Sequence, residues 1–107
     1  MTNSYIDEFL KCLDEERFYD AHEALEAIWF PRRFEKSDET NLLKGYINAA
    51  VSFELIKRGR EDSAQKVYNN YLKYKTLRLK VDSAYSNRYE EIEKRIEKLK
   101  QEVSSDV

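Results

Sequence analysis

The chain is 107 residues long, 41% hydrophobic and 13% aromatic, which is enough apolar material for one small packed domain and excludes a disordered chain. Two glycines and one proline leave few sites for tight turns, which disfavours a many-stranded β protein, and the lone Cys12 excludes a disulfide within the chain. The net charge is −2, no apolar run is long enough to cross a membrane, and residues 1–7 carry no secretory signal, so we expect a cytoplasmic protein without membrane insertion.

Apolar residues that recur at helical spacing predict five α-helices in a single domain spanning residues 1–107. In chain order these helices are 4–16, 18–30, 38–58, 61–80 and 84–103, and residues 104–107 are expected to fray. Pro31 ends the second helix because it lacks an N–H group, and residues 31–36 form a basic loop. Ser37 is a candidate N-cap of the third helix, and Gly59 is a candidate stop after it.

The third predicted helix, 38–58, is apolar most of the way round. One of its stripes contains the small residues Gly45, Ala49 and Ser52, so another backbone could approach it closely. A helix without a polar face is usually surrounded by other elements. The sequence therefore predicts an all-α fold, a compact bundle of about five helices with helix 38–58 at its centre.

The fourth predicted helix places an apolar stripe toward the core and carries basic residues elsewhere. The inward residues are Ala64, Val67, Tyr68, Tyr71 and Leu72. Alternating lysines and tyrosines can bind single-stranded nucleic acid by stacking bases on the rings. Because Tyr68 and Tyr71 belong to the inward stripe, we expect them in the core and do not expect a nucleic-acid partner.

The fifth predicted helix, residues 84–103, is amphipathic with a narrow apolar seam. Its members are Tyr85, Tyr89, Ile92, Ile96, Leu99 and Val103. Such a seam either folds back on its own bundle or pairs with a second copy or a protein partner. A homodimer or a protein partner is therefore possible, and the sequence does not identify a partner.

Charge is unevenly distributed along the chain. Residues 1–40 hold 11 acids and 5 bases, residues 41–80 hold 3 acids and 9 bases, and residues 81–107 hold 7 acids and 5 bases. Segments of opposite charge in one small domain usually neutralise each other across packed helices. We expect that neutralisation here, rather than an anionic partner for the middle segment.

The segment FYDAHEALEAIW at residues 18–29 is the most distinctive part of the sequence. It resembles the bacterial and archaeal family called domain of unknown function 309, in which an aromatic residue precedes E-A-H-E-x-L-E-x-x-W on one helix. A second block, residues 44–50, resembles the next part of that pattern, although Asn48 stands where the family prefers Gln and Glu54 where a His is common. The resemblance covers residues 6–79 and implies a compact helical bundle, but it implies no reaction.

Several polar and aromatic residues in these two blocks form a candidate site. His22 and Glu26 lie one helical turn apart, so both can face the same point, and Glu54 on the third helix could join them. The candidate set is His22, Glu23, Glu26, Trp29, Tyr46, Asn48 and Glu54. Three interpretations are open. The set could be a buried polar cluster that fixes the register of the helices and is shielded from water by Trp29 and Tyr46. It could instead be a pocket for a small molecule or peptide, or a metal site.

The metal interpretation is the weakest of the three. The H-E-x-x-E pattern lacks the second His of the zincin motif. One imidazole with carboxylates is also a poor ligand set for zinc. His22, Glu26 and Glu54 could still hold another divalent transition metal. We therefore expect no cofactor. The sequence favours a binding or interaction module, not an enzyme, with its polar cluster at His22, Glu26 and Trp29. The alternative is a small metal-dependent enzyme using His22, Glu23, Glu26 and Glu54.

Overall fold

The structure is a computed structural model that describes residues 2–105 and contains five α-helices and two short 3-10 turns. The five helices correspond to the five segments with helical periodicity. The helices are α1 (Thr2–Asp14), α2 (Phe18–Trp29), α3 (Asp38–Lys57), α4 (Glu61–Lys75) and α5 (Ser86–Ser105). The 3-10 turns are Phe30–Arg32 and Thr76–Lys80. No strand occurs within residues 2–105, and none of the helices described there is long and apolar enough to span a membrane. The predicted all-α class and the number of helices are confirmed.

The largest difference from the predicted helix boundaries is at the end of α4, whereas both ends of α1 and the start of α5 differ by two residues. The helix predicted over 61–80 is α-helical only to Lys75, and the Thr76 hydroxyl donates to the Lys73 carbonyl (3.1 Å) where the chain tightens into the 3-10 turn. Helix α5 begins at Ser86, whose hydroxyl donates to the Val81 carbonyl (3.2 Å) in the preceding turn.

The fraying expected for residues 104–107 stays a prediction. Helix α5 extends through Ser105, while residues 106 and 107 lie outside the described part of the chain.

The predicted cap and stop of α3 are both confirmed. The Ser37 side chain accepts a hydrogen bond from the Thr40 N–H (3.1 Å), and Gly59 has φ +76° after the last turn. The Arg60 N–H donates to the Leu55 carbonyl (2.8 Å), which closes the helix end in the manner of a Schellman motif. Glu16 ends α1 in the same way with φ 58°, a position at which the sequence gives no glycine to signal the turn.

Helix α3 lies at the centre of the bundle, as predicted, and contacts α2, α4, α5 and the second 3-10 turn. Its buried residues point in all directions: Thr40, Leu42, Leu43, Gly45, Tyr46, Ile47, Ala49, Ala50, Ser52 and Phe53.

On α4, Tyr68 and Tyr71 are also buried, in agreement with their assignment to the core. Leu72 is 43% exposed, so the prediction that it faces inward is wrong. It lies one residue, or about 100° around α4, from the buried Tyr71.

Three tyrosine–glutamate hydrogen bonds attach α5 to the rest of the bundle. They join Tyr46 to Glu93 (2.6 Å), Tyr71 to Glu97 (2.9 Å) and Tyr89 to Glu39 (2.7 Å). Burial, and then the hydrogen bond to Glu93, raise the pKa of Tyr46 far above its ordinary range. Burial alone would raise the pKa of Glu97, but hydrogen bonds from Lys75 and Tyr71 lower it. The seam of α5 therefore packs on its own bundle through a polar network as well as apolar contacts.

Ion pairs join the basic middle segment to the acidic C-terminal segment, whereas acids of the N-terminal segment pair with arginines of α5. The Lys75 ammonium lies 2.5 Å from the Glu97 carboxylate, and Arg78 Nε lies 3.1 Å from Glu93 Oε1. Arg95 of α5 pairs with Asp14 of α1. Much of the segmental charge is thus neutralised across packed helices.

The small-residue stripe of α3 permits the close approach that the sequence predicts. A Cβ atom added at Gly45 would lie 2.8 Å from the Cβ of Tyr74 on α4. That Cβ is fixed to the α4 backbone, so relief of the clash requires the two helices to separate.

We expect Gly45→Ala to lower the free energy of unfolding by about 1–2 kcal/mol, because overpacking at a helix contact outweighs the gain in helix propensity. Chemical denaturation followed by circular dichroism measures the change. Lys44→Ala, at the neighbouring exposed position, is the control and should leave stability within about 0.5 kcal/mol. A Gly45→Ala variant more stable than the parent would contradict the close approach of α3 and α4.

Candidate binding pocket between α2 and α3

A half-open pocket of about 290 Å³ lies between the first half of α2 and the C-terminal half of α3. Its lining consists of Phe18, Tyr19 and His22 from α2 and of Val51, Glu54, Leu55 and Arg58 from the end of α3. The α3 residues recur at spacings of three and four, so they share one helix face. Helical geometry alone therefore collects the lining side chains at one place.

The inner surface of the pocket is apolar. Phe18 is 5% exposed and packs its ring against Phe53 of the core, with ring centroids 5.4 Å apart. Val51 and Leu55 are half-buried and complete this surface. A small apolar group entering the pocket would displace water from these side chains, which favours binding.

His22 supplies the most informative polar group in the pocket wall. Its Nε2 lies 3.0 Å from Glu26 Oε1, and its side chain is 21% exposed. Its Nδ1 is buried and has no hydrogen-bond partner among the residues that the structure describes. Nε2 therefore faces the Glu26 carboxylate, and Nδ1 is the ring nitrogen that is left without a partner in the described part of the chain.

Charged and aromatic side chains surround this imidazole. Glu54 and Arg58 form an ion pair, with Arg58 Nε 3.0 Å from Glu54 Oε1. The Tyr19 ring lies beside the imidazole, with centroids 5.7 Å apart, and is 58% exposed. The negative charge of Glu23, and then a hydrogen bond to it, raise the pKa of the Tyr19 phenol.

The structure brings together only part of the predicted site. His22 and Glu54 line the same pocket, and Glu26 contacts the imidazole. Glu23 is exposed beside Tyr19, and Trp29 lies two turns further along α2, half-buried against the core.

Tyr46 and Asn48 belong elsewhere in the bundle. Tyr46 is fully buried, donates to Glu93 of α5, and has rings of Tyr71 and Tyr89 beside it. The Asn48 amide donates to the Lys44 carbonyl (2.7 Å) and accepts from Asn70 of α4 (3.4 Å). These two residues face other helices because their positions on α3 point away from α2. The interpretation that Tyr46 shields the His22 cluster is therefore wrong.

The sequence suggested a buried, hydrogen-bonded polar cluster around His22 and Glu26, but the buried polar pair of this protein lies elsewhere. The His22–Glu26 pair is partly exposed, with 42% of the Glu26 side chain accessible, whereas Tyr46 and Glu93 form a buried pair. Five pocket residues were not predicted from the sequence: Phe18, Tyr19, Val51, Leu55 and Arg58. The spacing of 51, 55 and 58 on one face with Glu54 was the available signal.

The weak metal candidates His22, Glu26 and Glu54 are not gathered into one cluster, and no three His, Cys, Asp or Glu side chains in the described part of the chain lie close enough together to hold a metal ion. Glu54 is instead paired with Arg58, and Glu26 with His22.

Fold and pocket together define a small helical bundle with a surface pocket between its second and third helices. A sequence model of the family described as Domain of unknown function (DUF309) matches residues 6–67. The match covers more than half of the chain, and the chain belongs to this family. All pocket residues lie within the matched segment, which ends inside α4, short of the 6–79 that the resemblance implied. Comparisons with curated proteins and with solved structures found no match.

Proposed function

We propose that this domain is a non-catalytic binding module whose site is the α2–α3 pocket. The observation that carries the proposal is the apolar inner surface of this cavity, with the His22 side chain in its wall and the Nδ1 atom of that ring buried without a partner among the described residues. Buried polar atoms are nearly always hydrogen-bonded, so an unpaired one in a pocket wall suits a ligand that supplies the missing partner.

The ligand that best fits the pocket has a small apolar body next to a hydrogen-bond donor. The volume of about 290 Å³ suits a single side chain or a small molecule. An ammonium or amide N–H could donate to His22 Nδ1 while its positive charge or dipole faces the Glu54 carboxylate. A carboxylate ligand is disfavoured, because it offers no donor to Nδ1 and because the Arg58 guanidinium in the pocket wall is already paired with Glu54.

We propose that binding requires no cofactor and takes place in the cytoplasm, where a lone thiol such as Cys12 stays reduced. The pairing of Glu54 with Arg58 supports the first point, since a metal ion would have to displace the guanidinium. The alternative remains a metal-dependent enzyme using His22, Glu23, Glu26 and Glu54.

Two probes with the same phenyl body test the ligand class: phenethylamine, which carries an ammonium, and 3-phenylpropionate, which carries a carboxylate. We expect phenethylamine to shift the backbone amide signals of residues 18–22 and 51–58 in NMR spectra, and 3-phenylpropionate to leave them nearly unchanged. His22→Phe keeps a ring of similar size but removes the acceptor, so it should weaken amine binding about tenfold.

Asn48→Ala is the matched control, because Asn48 lies on α3 but faces α4. It should bind phenethylamine as the parent does. Preferential binding of the carboxylate, or equal loss in both variants, would overturn the proposal. Stoichiometric transition metal in protein purified without an affinity tag, lost in His22→Phe, would instead favour the metal-dependent enzyme.

A further inference from the structure

The turn that follows α2 exposes two large aromatic rings. Phe30 is 54% exposed and Phe34 is 83% exposed, whereas the other three phenylalanines of this chain are buried in the core. Adjacent exposed rings on a small domain are costly in water, and such patches commonly mark an interaction surface.

Arg33 organises these two rings into a single surface, which we name the aromatic–arginine turn (Phe30, Arg33 and Phe34). Its guanidinium carbon lies 3.7 Å from the Phe30 ring centroid and 4.5 Å from the Phe34 ring centroid. Arg33 Nη1 also donates to the Phe30 carbonyl (2.7 Å), and Pro31 restricts the backbone of the turn. The side chains are therefore ordered before any partner arrives, which lowers the entropic cost of binding.

The positive charge of Arg33 has no acidic partner in the described residues. Six of the eight arginines form ion pairs there, and Arg33 and Arg60 are the two that do not. The acids nearest in sequence are already used, because Arg32 pairs with Glu35 (3.2 Å) and with Glu39 (3.1 Å). Most N–H donors of the Arg33 fork thus remain free to bind a carboxylate.

We propose that the aromatic–arginine turn docks an acidic segment of a partner protein, in which an Asp or Glu binds Arg33 and neighbouring apolar side chains pack on Phe30 and Phe34. Charge complementarity selects this occupant. An anionic membrane fits less well, because membrane-binding clusters contain about four to eight basic residues, whereas this turn has two unpaired cations, Arg33 and Lys36, beside the acids Glu35, Asp38 and Glu39.

This surface is separate from the α2–α3 pocket. The pocket lies beside the first half of α2, while the turn follows the last residue of that helix. The inference does not depend on the function proposed for the pocket.

A capped synthetic peptide of alternating Asp and Leu, and one of alternating Asp and Phe, test the docking surface on the full chain. Each is compared with the same peptide carrying Asn in place of Asp, and the caps remove terminal carboxylates. We expect the Asp peptides to shift the NMR signals of residues 30–36 and the Asn peptides to bind at least several-fold more weakly. Arg33→Glu and Phe34→Ser should each reduce the affinity about tenfold.

Two variants serve as matched controls. Arg60→Glu reverses the other unpaired arginine, and Leu79→Ser removes another strongly exposed apolar side chain, 85% exposed. Both should retain parental affinity. Phe34 is so exposed that Phe34→Ser should keep the parental melting temperature, and this keeps the test valid if Arg33→Glu fails to fold.

Four outcomes would overturn the proposal. They are no binding of either Asp peptide, binding that maps outside residues 30–36, equal loss of affinity in the controls, and self-association of the chain that Phe34→Ser abolishes. If the first of these outcomes is accompanied by Arg33-dependent binding to phosphatidylserine vesicles, the surface is instead a membrane-binding one.

Discussion

Deletion of residues 84–107 is expected to abolish cooperative folding. Helix α5 contributes the buried side chains Tyr89, Ile92 and Ile96, and burial of each is worth about 1.5–3 kcal/mol. Their sum is comparable with the whole stability of a domain of this size, about 5–15 kcal/mol. The deletion also leaves the hydroxyl groups of Tyr46 and Tyr71 without their carboxylate acceptors. The truncated chain should aggregate, or melt without a sharp transition, in size-exclusion chromatography and thermal circular dichroism.

A shorter truncation that removes only residues 102–107 is the control for this experiment. It retains the three buried side chains of α5 and the glutamates that bind the tyrosines, so it should stay monomeric with a sharp transition. If the long deletion also gave a soluble monomer that unfolds cooperatively, α5 would be an appendage whose seam is free to bind a partner.

Replacement of Glu93 by Ala is expected to cost about 3 kcal/mol of stability, because it leaves the buried Tyr46 hydroxyl without its acceptor and removes the closer of the two carboxylates that pair with Arg78. Glu93 is only 7% exposed, so water cannot readily take its place. Denaturant unfolding of the two proteins measures the difference in free energy.

Glu97→Ala is the matched control on the same helix. Glu97 makes a similar tyrosine–lysine contact, but 45% of its side chain is exposed, so its loss should cost no more than about 1 kcal/mol. Equal costs for the two variants would show that burial does not set the strength of these contacts.

The double variant Tyr46→Phe, Glu93→Ala should lose less stability than the sum of the two single variants, since the two side chains share one hydrogen bond.

Hydrogen bonds between tyrosines and glutamates, including the one to Glu93, attach α5 to the bundle in addition to its apolar contacts. Each tyrosine presents its ring to the core and its hydroxyl to a carboxylate, and each carboxylate also contacts a cation from another element: Arg78, Lys75 or Arg32. Apolar contact alone allows a helix to slide or rotate, whereas directional hydrogen bonds at successive turns specify one register. Placement of α5 is therefore fixed by polar groups inside the bundle.

The candidate site was only partly predictable. His22 and Glu26 are local partners, one turn apart on one helix, so their contact follows from spacing alone. Glu54 could be associated with them only through the family pattern. Tyr46 and Asn48 were assigned to the same cluster because they lie in the same sequence block, yet they point toward α5 and α4. A block in the sequence covers every face of a helix, and the packing of neighbouring helices decides which face meets which partner.

The sequence by itself determined the helices, the cap at Ser37, the stop at Gly59 and the central position of α3, because these depend on local periodicity, backbone conformation and the absence of a polar face. The tertiary structure alone decided which side chains converge. It placed Tyr46 opposite Glu93, separated Asn48 from His22, added Arg58 to the pocket, and left Arg33 stacked on two exposed rings. These contacts depend on the rotation of each helix about its axis, which packing across the whole bundle sets and local spacing does not encode.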